Sequence, residues 1–418
     1  MELNLRDVLL KEEYWLLTYE KMMLKRGLSQ EDKDLLWTLM YIYKYDIVDS
    51  LLDGSYEWSI PKKVFIAKDG TKKKRIVYIY NIKDRYVLGV LYRALSFYYS
   101  DYISPLCFSY KKSISTNDAI KYIKNMKETD IYSGVKIDIH SYFNSVSKEK
   151  VISMIEGLFS GGLKISIEKL MLDNRVEFKG QIIEEWKSLI PGCAFGSFFA
   201  NYCLRDCDSY FEKNSKIYAR YSDDIIILEK SKEELLKDLS IVKKYISEYG
   251  LEINPNKYTW FEPDDSVEYL GLKLRGDNKI DISDHAKKKI KKQIHRWCRK
   301  GRMEIERDGK SFNLVARRII RNFNNKNMFC MVDNETTFGW CHYAFRYITT
   351  IDSLIEIDFY MRDALRAMKT GKHNSANVKY IDDEEFKKLG WVSLVDMYNL
   401  YKQDFDYYME IVELMKNT

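Results

Sequence analysis

Two short apolar runs that end in aspartate constrain this chain most. The run VKIDI, residues 135 to 139, places Asp138 at the end of a β-branched stretch, and KIYARY and IIILEK flank the three residues Ser222, Asp223 and Asp224. Runs rich in valine, isoleucine and tyrosine, bounded by turn residues, read as strands, so the second pair predicts a hairpin with a three-residue SDD turn. Continuous apolar character on such strands requires cover on both faces, and the surrounding sequence offers it in helices. Residues 196 to 212 read as a buried helix and residues 231 to 249 as an amphipathic, lysine-rich one. A sheet of this kind among helices predicts the α+β class.

The remaining chain sorts into similar pieces. Residues 1 to 50 carry apolar positions at helical spacing, with Leu35, Leu36, Leu39 and Met40 following the charged stretch Glu31 to Asp34. KVFIAKDGTKKKRIVYIY, residues 63 to 80, reads as a hairpin with a basic tip. Residues 83 to 127 return to helix, a helix is expected to start near Ser147, and VEYLGLKLR reads as another strand. After Asn278 the pattern is mainly helical, and residues 285 to 302 place Ile290, Ile294 and Trp297 on one face with basic residues elsewhere.

Hydrophobic residues make up 46% of the 418 and prolines number five, so the whole chain is expected to fold. The net charge of +6 is too small to identify a nucleic-acid partner, and the 33 tyrosines could serve base stacking or reflect genome composition. Seven cysteines lack zinc-ligand spacing and are read as reduced thiols of a cytoplasmic protein. No run of about eighteen apolar residues occurs and the amino end lacks a cleavable apolar core, so neither secretion nor membrane spanning is expected.

Carboxylates at strand ends suit hard cations. In-line phosphoryl transfer by polymerases uses two magnesium ions roughly 4 Å apart. An SDD turn alone proves nothing, because Asp and Ser favour turns without any chemical role. The combination is more specific. IDIHSYFNSV, YSDD, GLEINPNK and VEYLGLKL, in that order, resemble the palm motifs of reverse transcriptases over roughly Lys63 to Leu274.

That resemblance implies a right-hand polymerase with fingers at residues 1–132, a palm at 133–277 holding a returning fingers insertion near 147–190, and a helical thumb and tail at 278–418. It implies that Asp138, Asp223 and Asp224, with the Ile139 carbonyl, hold two Mg2+ ions, for which Mn2+ could substitute. Phe143 matches an aromatic gate against a ribose 2′-hydroxyl, and Tyr221 matches a ring beneath the primer terminus. Lys68 and Arg75 would clamp the triphosphate, Lys257 would protonate the leaving pyrophosphate, and Tyr269, Leu270 and Gly271 would grip the primer. Gly196, Ser197 and Asn201 fit the nucleotide-binding segment that usually reads P-Q-G, but here Gly192 and Cys193 replace its glutamine and glycine.

On the helix at 285 to 302, Lys288, Lys292 and Arg296 would meet duplex phosphates. Leu365, Arg366, Leu389, Gly390, Ser393 and Leu394 resemble the region beyond the thumb in group II intron enzymes and their bacterial relatives. Among these the defence-associated enzymes are the most similar, with retron and abortive-infection enzymes as near relatives. The implied function is an RNA-directed DNA polymerase of the bacterial cytoplasm that copies a dedicated structured non-coding RNA into cDNA for antiphage defence. Its partners would be that RNA, the cDNA and deoxyribonucleoside triphosphates, without a membrane. A template-independent or protein-primed DNA polymerase, an RNA-dependent RNA polymerase and an RNA-binding scaffold with an inactive palm are the competing expectations.

Overall fold

In a computed structural model of the chain, residues 4–24, 27–67, 74–112, 114–127, 133–275, 279–329 and 339–417 are described. Contacts divide the chain into two units, Met1–Trp260 and Phe261–Thr418.

The first unit begins with helices α1 (Leu5–Leu9), α2 (Glu12–Met23), α3 (Gln30–Tyr41) and α4 (Lys44–Asp53). Ser29 opens α3 with a capping box closed by Asp32, which satisfies two of the exposed backbone donors of the first turn. Strands β1 (Lys62–Ala67) and β2 (Lys74–Ile79) form an antiparallel hairpin, as expected from their sequence. Helix α5 (Ile82–Tyr98) follows and gathers the amino-terminal helices, with the Tyr86 hydroxyl donating to the Trp15 carbonyl at 2.9 Å.

Next come α6 (Thr116–Lys127), β3 (Ser133–Asp138), the short α7 (Tyr142–Ser145), α8 (Lys148–Leu158) and α9 (Gly161–Leu172). Ser147 caps α8, so the expected helix start holds, although α7 intervenes between it and the Asp138 strand. Strands β4 (Arg175–Phe178) and β5 (Gln181–Glu184) then return to the first hairpin and complete a sheet of order β2-β1-β4-β5.

The central sheet arises from β3, β6 (Ile217–Tyr221), β7 (Asp224–Glu229) and β8 (Thr259–Phe261), in the order β6-β7-β3-β8. Ile225, Ile226, Ile227 and Leu228 on β7 are all buried, as a strand covered on both faces requires. Helices α10 (Ala194–Cys203), α11 (Arg205–Lys213) and α12 (Lys232–Glu248) complete this unit, with α12 packed on β7 and β3 and with α6 and α11 packed on β6. Leu235, Leu239, Val242 and Ile246 form the buried stripe of α12 at helical spacing.

The second unit contains a small sheet of order β11-β10-β9 from β9 (Val267–Tyr269), β10 (Leu272–Leu274) and β11 (Ile280–Ile282). Helices α13 (Asp284–Asp308), α14 (Phe312–Asn322), α15 (Trp340–Tyr347), α16 (Asp352–Thr370), α17 (Asp383–Lys388), α18 (Leu394–Gln403) and α19 (Phe405–Asn417) make up the rest. Asp358 on α16 accepts from the Ser393 hydroxyl at 2.8 Å and from the Leu394 N–H, which locks the start of α18 onto α16. Arg366 donates to the Ile381 carbonyl at 3.0 Å. Several of the intron-like positions therefore serve the packing of this unit. No described helix is long and apolar enough to cross a membrane.

Three local expectations need correction. VEYLGLKLR is a hairpin rather than one strand, because Leu270 at φ 49° and Gly271 at φ 87° form a two-residue turn whose twist suits antiparallel pairing. The SDD turn is two residues long, since Asp224 already pairs with Tyr221 and only Ser222 and Asp223 lie between. The helix expected over 196 to 212 is two helices that meet at Leu204.

Candidate active site

Strand register brings the carboxylates together. In the antiparallel pairing of β3 with β7, Asp138 stands directly opposite Asp224, and the Ile139 N–H donates to the Asp223 carbonyl at 3.0 Å. Residues opposite one another on such a pair have Cβ atoms roughly 5 Å apart, so acidic groups there repel unless countered. Lysines counter them. Lys257 bonds the Asp138 carboxylate, and Lys136, two residues before Asp138 on the same strand face, lies 3.3 Å from Asp224 Oδ1. Asn254 adds its side-chain amide to Asp138 Oδ2 at 3.2 Å and its backbone N–H to the Asp138 carbonyl at 2.7 Å.

Burial, then the nearby charges of Asp138 and Asp224, raise the Asp223 carboxyl above the usual carboxylate range. Among the described residues no three Asp, Glu, His or Cys side chains already converge as a metal-binding group, and two of the three carboxylates are turned to ammonium groups. The donor chemistry nevertheless fits a hard divalent cation. Asp138, Asp223 and Asp224 stand at one sheet end, and the burial and acidic crowding that raise the Asp223 carboxyl are what a bound cation would offset.

A buried polar network holds the turn. Ser222 has φ 62°, its N–H donates to Ser109 Oγ at 2.9 Å, and Ser109 donates onward to Asn201 Oδ1 at 2.9 Å. Beneath it Arg220 and Asp208, both fully buried, pair through two hydrogen bonds, Nε to Oδ1 at 2.8 Å and Nη2 to Oδ2 at 2.5 Å. The Tyr218 hydroxyl also donates to Asp208 at 2.9 Å. Such a fork satisfies a buried guanidinium that would otherwise be very costly. Arg220, Asp208, Ser109, Lys136 and Tyr110 escaped sequence reasoning because their partners lie on other elements. Lys136, Arg220 and Asn254 lay inside quoted segments, but nothing there pointed to their partners.

Phe143 lies on α7, half-buried, with its ring edge-on to Tyr110 at 6.3 Å. Tyr221 is half-buried at the end of β6. Gly196 lies where α10 meets the preceding loop, and a Cβ there would stand 2.0 Å from the Leu189 carbonyl oxygen. Ser197 is half-buried beside it on α10. Gly192 has φ 92°, and a Cβ would stand 2.8 Å from Val77 Cβ, so the glutamine expected from the family pattern does not suit this backbone. Arg75 is exposed on β2 and acts electrostatically on the Tyr110 phenol. Lys68, Lys72 and Lys73 lie outside the described residues.

In the second unit Tyr269 is fully buried, and the Leu270 carbonyl accepts from the Tyr343 hydroxyl at 2.8 Å. Lys288, Lys292 and Arg296 are exposed along α13, while Ile290 and Ile294 are buried and Trp297 is half-buried on its other face.

The sequence pattern of the reverse transcriptase (RNA-dependent DNA polymerase) family matches residues 60–274. A segment of 87 residues is 39% identical to the enzymatic polyprotein of Soybean chlorotic mottle virus, covering 18% of this chain and 12% of the viral protein. The chain thus spans a small fraction of that relative's length. The match to the family pattern takes in more than half of the chain, including β3, the YSDD turn and the hairpin at Leu270, and on that ground the chain belongs to the reverse transcriptase family.

Proposed function

We propose that this chain is an RNA-directed DNA polymerase, which extends a primer with deoxyribonucleotides along an RNA template. The register that sets Asp138 across from Asp224, beside the turn carrying Asp223, is the observation that carries the reading. Asp138, Asp223 and Asp224, with the Ile139 carbonyl, would hold two Mg2+ ions, or Mn2+ in their place. Bound there, the ions supply activation of the primer hydroxyl and neutralisation of the triphosphate.

The protein's own groups have separate tasks. Lys257 holds a proton beside Asp138, and its transfer to the leaving pyrophosphate is general-acid work. Lys136 moderates the charge of Asp224, and Asn254 fixes the orientation of the Asp138 carboxylate. Arg75 and Lys68 bind the triphosphate, and Phe143 excludes a 2′-hydroxyl, which makes the product DNA. Gly196 and Ser197 belong to the nucleotide-binding segment, and Tyr221 supports the primer end. Tyr269, Leu270 and Gly271 hold the primer strand, and Lys288, Lys292 and Arg296 meet phosphates through salt-sensitive contacts.

The template on this reading is a dedicated structured non-coding RNA, and the cDNA serves antiphage defence in a bacterial cytoplasm. The exposed basic face of α13 and the intron-like positions at Leu365, Arg366, Ser393 and Leu394 support that finer reading. The test supplies purified protein with a primed RNA template and either deoxyribo- or ribonucleoside triphosphates, alongside the Asp223→Ala/Asp224→Ala variant. Extension with deoxyribonucleotides that the variant lacks is expected. Ribonucleotide products would favour an RNA polymerase, and unchanged biological activity in the variant would favour a scaffold. Sequencing of co-purified RNA and cDNA tests the template, and the absence of any enriched RNA counts against it.

A further inference from the structure

We infer that Tyr110 is a positioning residue that joins nucleotide selection by Phe143 to the turn bearing Asp223, an inference that rests on the polymerase reading above. Tyr110 lies between α5 and α6, outside every motif that identifies the palm. Its backbone has φ 54°, a conformation that a bulky aromatic residue seldom adopts. The surroundings enforce it. The Tyr92 hydroxyl donates to the Tyr110 carbonyl at 2.9 Å, and the neighbouring Ser109 is buried with its hydroxyl bonded to Ser222 and Asn201.

Held in this way, the side chain meets two parts of the site at once. Its hydroxyl donates to Ser222 Oγ at 3.2 Å, on the residue preceding Asp223. Its ring meets the Phe143 ring at 89°, with centroids 6.3 Å apart. Phe143 otherwise stands on a helix of only four residues, anchored by the Leu189 N–H on its carbonyl at 3.1 Å and by edge contact with Tyr142 at 5.7 Å. A gate discriminates only if its ring cannot yield, and Tyr110 is the wall on one side of it. Burial chiefly raises the Tyr110 phenol above its usual range, with the Asp223 charge adding to that and the Arg75 charge opposing it.

The two contacts make separable predictions. Tyr110→Phe removes the hydroxyl and keeps the wall. It should lower kcat for deoxynucleotide addition by about threefold to tenfold, the range of one net hydrogen bond, without changing KM or the preference for deoxy- over ribonucleotides. Tyr110→Asn keeps a residue that tolerates positive φ but removes the ring. It should lower that preference by about tenfold or more, chiefly through a smaller KM for ribonucleotides. In a Phe143→Ala background Tyr110→Asn should add nothing to the loss, because the wall acts only through the gate.

Single-nucleotide incorporation by the full chain, measured with each nucleotide class, gives these quantities. Equal effects of Tyr110→Asn on both classes, or effects fully additive with Phe143→Ala, would overturn the inference. The hydroxyl arm needs no ring deletion: in a cycle of Tyr110→Phe with Ser222→Ala, non-additive losses in kcat support it and additive losses overturn it. Wild-type protein that adds neither class of nucleotide to any primed template would remove the polymerase reading itself, and this inference with it. A wild type that extends with deoxynucleotides while Tyr110→Asn leaves selectivity intact would sink the inference alone.

Discussion

Replacing Asp208 by Asn leaves the Arg220 guanidinium at zero exposure with its partner's charge gone. The side chain keeps its shape, so the loss is electrostatic: two ion-pair bonds at 2.8 and 2.5 Å become at best one bond from the guanidinium to an uncharged amide oxygen, and the bond from Tyr218 at 2.9 Å weakens. Breaking a buried pair from one side costs about 3 to 5 kcal/mol. In a unit of this size each kcal/mol moves the melting temperature by about 2 to 4 °C, so a fall of about 10 °C is expected. Thermal unfolding of the full chain, followed by far-ultraviolet circular dichroism, measures it.

A companion variant sharpens the test. Removing both charges with Asp208→Leu and Arg220→Met should restore more than half of the loss, since no uncompensated charge stays buried, although the Tyr218 hydroxyl and the Asn201 carbonyl lose partners. A single variant that melts within about 2 °C of wild type, or a double variant less stable than the single, would refute the electrostatic account of this network.

Further predictions concern the carboxylates and the loop beside them. Asp223→Asn should abolish nucleotide addition yet leave the melting temperature equal or higher, because it removes a charge that burial and two neighbouring carboxylates oppose; a lower melting temperature counts against this. The pH dependence follows from the same raised carboxyl. The folded chain binds a proton at Asp223 more readily than the unfolded one, so the stability it contributes is present at acid pH and is lost as pH rises through the raised value. Cation binding needs the ionised form, so nucleotide addition should rise with pH over a range above that of a free carboxylate, and more Mg2+ should shift the rise to lower pH; a rate that ignores both would contradict it. Gly192→Gln, which restores the residue usual in the family, should cost about 1 to 3 kcal/mol through backbone strain and contact with Val77, and an unchanged melting temperature would show that the loop accommodates a side chain.

The strands and helices that carry the site were legible because their patterns are local. Ile225 to Leu228 announce a covered strand, Leu235, Leu239, Val242 and Ile246 announce a helix face, and Ser147 announces a cap. Turn geometry was legible only in part. The eye reads SDD as one turn and LG as part of a strand, whereas the ladder takes Asp224 and releases Leu270 and Gly271. Partners across the fold were not legible at all. Nothing near Asp208 points to Arg220, nothing near Ser109 points to Ser222, and Lys136, the lysine that meets Asp224, reads in sequence as one polar position within an apolar strand. The glycine at position 192 looked like a defect in a motif, yet its positive φ against Val77 gives it a structural cause.

Divalent-cation binding tests the central claim most directly. Mn2+ titrated into the full chain with primed RNA template and a non-hydrolysable deoxynucleoside triphosphate, followed by its paramagnetic resonance signal, should show tight uptake that Asp138→Asn or Asp223→Asn removes. Uptake that survives in both variants would mean that these carboxylates are not the cation site, and the assignment of the reaction to this end of the sheet would fall.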